Sequence, residues 1–279
     1  MANVKKLVRH VVSAVKMKNV VPVYQTIKDS EELKGKVALI VGGTGGIGLA
    51  IAKSLLSSGC KVIVTGTREE SINNAIFKLG GVNNSSVKAI KINASDVDSF
   101  NGKVQEAVNC FGKLDIFINS AGVHTEHVDF WSMTSAEYDR VMNINLKGTY
   151  FLCQSVARNM VNNKVHGHIL LVSSSRGLEP AWSPYGISKW GINGLVKGLA
   201  EILIEKGIIV NGIAPGSTAT ALIGVSTDDT IYSEENKVGR FILPEEVAEV
   251  AKLLVSPAGD MIVGEVVPVS GGRGTFDIR

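Results

Sequence analysis

Cysteine is scarce in this chain: three residues in 279, at Cys60, Cys110 and Cys153. Their number is odd, they lie far apart, and each sits among apolar neighbours. The pattern reads as reduced, packed thiols and excludes a disulfide framework. No Cys/His group has metal-ligand spacing, so no metal is expected. An excess of one charge is lacking too. Twenty-nine basic residues against 26 acidic ones leave a formal +3, too close to neutral to suggest a nucleic-acid partner. No apolar run reaches the roughly 20 residues needed to span a bilayer, and the start does not read as a cleaved secretory signal. Together these absences point to a cytoplasmic protein.

What remains is a chain 45% hydrophobic and 20% charged, long enough for one large core and short for two. From Lys36 onward, β-branched runs alternate with helical stretches. Lys36–Val41, Lys61–Thr65, Val87–Ile92, Leu114–Ile118, His168–Val172, Ile208–Ile213 and Glu265–Val269 read as strands. Several are continuously apolar, as parallel strands covered on both faces must be. Helices are expected at Gly46–Ser57, Ser99–Phe111, Ser135–Asn159, Tyr185–Lys206 and Pro244–Leu254. The alternation predicts an α/β fold, a doubly wound parallel sheet of about seven strands in a single domain, residues 35–279. Ligands of such sheets bind beyond the carboxyl ends of the strands, at the switch point.

Residues 1–34 differ. Val4, Leu7, Val8, Val11, Val12 and Val15 share one helical face, lysines and arginines crowd the rest, and no acid precedes Asp29. This basic amphipathic extension is expected to dock on the protein's own oligomer. Contact with an anionic membrane surface is the less favoured alternative, because the apolar face is mainly valine and has no Trp or Phe anchor.

The first strand runs into Val41-Gly42-Gly43-Thr44-Gly45-Gly46-Ile47-Gly48 and then a helix. Glycines let backbone N–H groups approach a pyrophosphate, and the helix amino terminus adds positive potential. Tyr185-Gly186-Ile187-Ser188-Lys189 places a phenol and an ammonium on one helix face, after a strand and the cluster Ser173-Ser174-Ser175. The spacing of Gly42, Gly46 and Gly48, followed by Asn119-Ser120-Ala121-Gly122, Asn145, Ser174 and the Tyr185/Lys189 pair, resembles the short-chain dehydrogenase/reductase family over about Leu33 to Gly272, and its 3-oxoacyl-carrier-protein-reductase-like members in particular. Val41 and Ser120 depart from the family's Thr and second Asn.

That resemblance implies a Rossmann-fold oxidoreductase that interconverts a carbonyl and an alcohol by hydride transfer. Tyr185 would be the general acid/base, Lys189 would lower the phenol's pKa and hold the nicotinamide ribose, Ser174 would hold the substrate oxygen, and Asn145 a relay water. Cofactor contacts are expected from Gly42, Thr44, Gly46, Ile47, Gly48, Thr67, Arg68, Asn93, Ala94, Asn119, Ala121, Gly122, Tyr185, Lys189, Pro215, Gly216, Thr218 and Thr220. Gly66 takes the position where a carboxylate would bind the ribose 2′-OH of NAD and repel a 2′-phosphate. With Thr67 and Arg68 beside it, NADP(H) is expected in preference to NAD(H), although NAD remains possible. On the substrate side, the loop near residues 221–237 and His124, Thr125, Glu126, His127, Arg176, Glu179 and Trp182 favour a polar or hydroxylated small molecule. Helices Ser135–Asn159 and Tyr185–Lys206, with Gly191, Gly194 and Gly198, suggest a homotetramer. The alternative function is a catalytically inactive NADP-binding regulator or scaffold, and retention of Tyr185 and Lys189 argues against it.

Overall fold

A computed structural model describes residues 32–126, 128–220 and 230–274. The expected amphipathic helix Val4–Val15, His127 and the first part of the substrate loop lie outside the described residues.

Seven parallel strands form one sheet in the order β3-β2-β1-β4-β5-β6-β7. They are β1 (Val37–Val41), β2 (Lys61–Gly66), β3 (Val87–Lys91), β4 (Ile116–Asn119), β5 (Gly167–Val172), β6 (Ile208–Pro215) and β7 (Val266–Val269). Every residue of β1 is buried, as expected of a central strand covered on both sides. β1 pairs with β2 on one edge and β4 on the other. The chain reverses its winding direction there, so the crevice beyond the ends of β1 and β4 is the switch point.

Helices α1 (Gly46–Ser57) and α7 (Pro244–Leu254) cover one face. Their core contributions, among them Ile51, Leu55, Val247 and Leu254, pack with Ile40 and Val64 of the sheet. On the other face, α3 (Phe100–Phe111), α5 (Thr149–Asn162) and α6 (Pro184–Leu203) bury Phe100, Leu152, Val156 and Val196 against Leu39, Phe117 and Leu171.

Two departures from the sequence reading stand out. Helix α2 (Glu69–Lys78) has no counterpart in the expected pattern. It buries only Ile72 and Ala75, so its apolar periodicity is too sparse to read. The single helix expected over Ser135–Asn159 is instead α4 (Ser135–Met142), a π-helical turn over Asn143–Gly148, and then α5. The extra residue in the turn swings Asn145 inward, where its side chain is fully buried. Its Nδ2 donates to the Val123 carbonyl at 2.9 Å, and its Oδ1 accepts from the Val123 amide at 2.8 Å. Interruptions of this kind concentrate at functional sites.

Candidate active site

A cavity of about 900 Å³ opens at the switch point, lined by the glycine loop, the ends of β2, β4 and β5, the start of α6 and the segment after β6. At one end the loop leaves β1 and enters α1. Gly42 has φ +78°, and a Cβ there would lie 2.7 Å from the Ala121 amide nitrogen. A Cβ at Gly48 would lie 2.2 Å from the Gly42 carbonyl oxygen. The loop therefore closes onto β4 and α1 only with these glycines. No acidic side chain stands in the first turn of α1 to compete for an anion. Asn119 braces the arrangement: its Oδ1 accepts from the Ala121 amide at 3.1 Å, and its Nδ2 donates to Thr149 Oγ1 at 2.8 Å.

Gly66, Thr67 and Arg68 line the far wall. Among the described residues, no carboxylate pairs with Arg68. Thr65 is fully buried on that wall, and its hydroxyl has no partner among the described residues. A buried hydroxyl without a partner is costly unless a ligand completes it. The glycine cradle, the open helix terminus, the free guanidinium and the orphan hydroxyl together fit a dinucleotide.

At the other end, α6 begins with Ser183 as its cap, its Oγ accepting from the Gly186 amide at 3.2 Å, and with Pro184 in the first turn. This start places Tyr185 and Lys189 on the cavity side. Ser174 lines the same wall, and its hydroxyl helps to hold the Tyr185 phenol's pKa down. Ser173 borders the same cavity, but its hydroxyl is taken up by Asn193, donating to Oδ1 at 2.5 Å. Lys189 is buried, donates to the Val172 carbonyl at 3.0 Å, and lies 5.5 Å from the Tyr185 ring centroid. Burial lowers Lys189 to about 8.

The phenol does not follow the expected direction. Burial pushes Tyr185 above its ordinary value, and the Ser174 hydroxyl and the charges of Arg176 and Arg273 only partly offset that. Desolvation outweighs the nearby cations, and Lys189 is not among the groups that lower the phenol.

Most of the expected cofactor residues line this cavity: Gly42, Thr44, Gly46, Ile47, Thr67, Arg68, Asn93, Ala94, Ala121, Gly122, Tyr185, Lys189, Pro215, Gly216, Thr218 and Thr220. Gly48, Asn119 and Asn145 stand behind it and shape its walls. Three neighbours were less legible. The His124 ring stacks on Tyr185 with centroids 4.1 Å apart, and burial lowers its pKa. A side lobe of about 300 Å³ runs from Tyr185 past Thr125, Arg176 and Trp182. Arg273, which no motif marks, enters the cavity wall from the carboxyl-terminal segment beside Ser217 and Glu235. Among the described residues, no three His, Cys, Asp or Glu side chains gather as a metal site. No described helix is long and apolar enough to cross a membrane. All three cysteines are free, and burial pushes the Cys60 and Cys153 thiols up to about 12.

A switch-point sheet with this cavity fits a dinucleotide-dependent oxidoreductase, and residues 36–230 match the family model for short chain dehydrogenase. The chain belongs to the short-chain dehydrogenase/reductase family. It is 34% identical over 245 residues to a 3-oxoacyl-acyl-carrier-protein reductase of Aquifex aeolicus, covering 86% of this chain and 98% of that one. It is 33% identical to an acetoacetyl-CoA reductase of an Acinetobacter species, covering 85% and 97% respectively. Among solved structures, a 3-ketoacyl-acyl-carrier-protein reductase from Brucella melitensis, complexed with NADH, superposes with a TM-score of 0.79 at 27% identity, covering 87% of this chain and 99% of that one.

Proposed function

We propose that this chain is a carbonyl reductase that prefers NADPH and acts on a polar 3-oxoacyl-type or related carbonyl compound. The observation that carries the proposal is Tyr185 and Ser174 side by side in one cavity wall, with buried Lys189 beneath the ring, in the same cavity as the glycine loop.

The residues divide the work. The glycine loop and the first turn of α1 hold the pyrophosphate. Thr67 and Arg68 receive a 2′-phosphate, and Gly66 offers it no repelling carboxylate. The dinucleotide, when bound, supplies hydride. Ser174 Oγ and the Tyr185 hydroxyl both reach the substrate carbonyl oxygen. Tyr185 gives its proton to that oxygen as negative charge develops there. Burial raises the phenol's pKa and so favours its protonated form, which suits a proton donor in the reductive direction. Lys189 supplies a cation beneath the ring, and the stacked His124 fixes the ring plane.

The exposed aromatic surface of Phe130, Trp131, Tyr150 and Trp190 supports a homotetramer, as do Gly194 and Gly198, whose absent side chains face open space. Gly191 instead receives Leu146 of the same chain. The test is direct. The purified protein should oxidise NADPH on addition of a short 3-oxo acid or its thioester, bind NADPH more tightly than NADH, and give a tetramer by light scattering. A clear NADH preference contradicts the cofactor assignment. Inertness toward a broad carbonyl panel contradicts the reductase assignment, and a monomer contradicts the tetramer.

A further inference from the structure

The carboxyl-terminal turn is built from glycines at 271, 272 and 274, all with positive φ. It folds back against the end of β5, where Gly274 meets the Ser175 carbonyl oxygen. The turn delivers Arg273 to the cavity wall that also carries Ser174, Ser175 and Tyr185. Only 12% of the Arg273 side chain is exposed. One side is fixed: Nε donates to Glu179 Oε1 at 3.1 Å, and the other oxygen of Glu179 holds Arg176 at 2.9 Å.

The other side faces the substrate segment. There Arg273 Nη1 donates to Ser217 Oγ at 2.5 Å and to Glu235 Oε2 at 2.6 Å. Ser217 Oγ donates to that same Oε2. A single carboxylate oxygen thus receives a guanidinium N–H and a hydroxyl in the wall of the reaction cavity. The carboxylate belongs to Glu235, whose side chain is 59% exposed and stands in the cavity wall. If Glu235 swings away, Arg176 and Arg273 face only Glu179, two positive charges against one negative.

We infer that Arg273 and Ser217 form a carboxylate subsite, that Glu235 occupies it as a built-in competitor, and that the substrate is an oxo compound bearing a carboxylate. The inference rests on the reductase reading for what happens at the carbonyl. The charge-assisted, two-donor geometry is the kind that discriminates a carboxylate from its neutral analogue. Arg273 and Ser217 line the same cavity as Ser174 and Tyr185, which places the subsite in the space where the carbonyl would react.

Calorimetry on the NADPH-loaded protein tests this without turnover, using butyrate and butyramide as probes. Butyrate should bind about ten-fold more tightly than butyramide. Glu235→Gln should tighten butyrate several-fold without a matching gain for butyramide, and Arg273→Gln should abolish the preference. The proposal is overturned if the unaltered protein binds both probes equally or neither, or if the Glu235→Gln protein gains nothing for butyrate. Absence of carbonyl reduction in every assay would count against the reductase reading and leave these binding results standing.

Discussion

Thr44 stands where a carboxylate at position 66 would have to go. A Cβ on Gly66 would lie 2.7 Å from Thr44 Cγ2 and 3.1 Å from its Oγ1. Sequence reasoning expects Gly66→Asp by itself to shift preference toward NADH through repulsion of the 2′-phosphate. The packing adds a steric condition. Gly66→Asp alone should weaken both dinucleotides, and Gly66→Asp with Thr44→Gly should favour NADH. Fluorescence titration of both proteins checks this, and a full switch by the single variant contradicts it. Lys189 is the second case. Burial sets it at about 8 in the folded chain, whereas an unfolded lysine titrates near ~10.4. Between those values the unfolded chain binds more protons, so this group stabilises the fold increasingly as pH rises from about 8, and below that it carries the cost of a buried charge. Without cofactor, the melting temperature of the unaltered protein relative to Lys189→Met should therefore rise between about pH 7 and about pH 10. A flat or falling difference contradicts the burial argument. The identities of Tyr185 and Lys189 are legible because their spacing is local. Their proton affinities are not, because these depend on what the fold stacks around them.

At the scale of elements, the interrupted helix around Asn145 is the informative feature. The sequence runs on with helical periodicity from Ser135, and nothing local announces the π turn. The turn follows from a tertiary demand: the Val123 amide and carbonyl, just past β4, both need partners, and Asn145 supplies them. Asn145 Nδ2 also donates to Ser188 Oγ at 3.2 Å, tying the turn to α6. The side chain is therefore a positioning group for the strand end that carries His124. Asn145→Ala should destabilise the protein by about 1–3 kcal/mol in urea unfolding, since it strands buried backbone groups. An unchanged midpoint with lost turnover would assign Asn145 to the reaction alone. The same contrast explains α2. Strands here are legible as unbroken apolar runs, whereas a surface helix that buries two side chains leaves little periodicity to detect.

At the scale of the whole molecule, a doubly wound parallel sheet of about seven strands was readable from β-α alternation, because parallel strands need helical crossovers and the crossovers need apolar faces, whereas the order of the strands comes from the structure. The contribution of Arg273 was not readable. It depends on a turn nearly 100 residues from Glu179 in sequence, 94 positions away, closing onto the end of β5. What the assembled molecule does is bring the glycine loop, the Ser174–Tyr185 pair and buried Lys189 to one cavity. In the proposed reaction Tyr185 delivers the proton there, while other residues of the same cavity hold most of the dinucleotide. Comparing Tyr185→Phe with the unaltered protein tests it most directly, by NADPH-dependent carbonyl reduction and NADPH affinity on the same preparations. The expected result is a loss of turnover of about 10²–10⁴-fold with NADPH binding held within a few-fold. Retention of most of the reductase activity by the Phe variant would contradict the account.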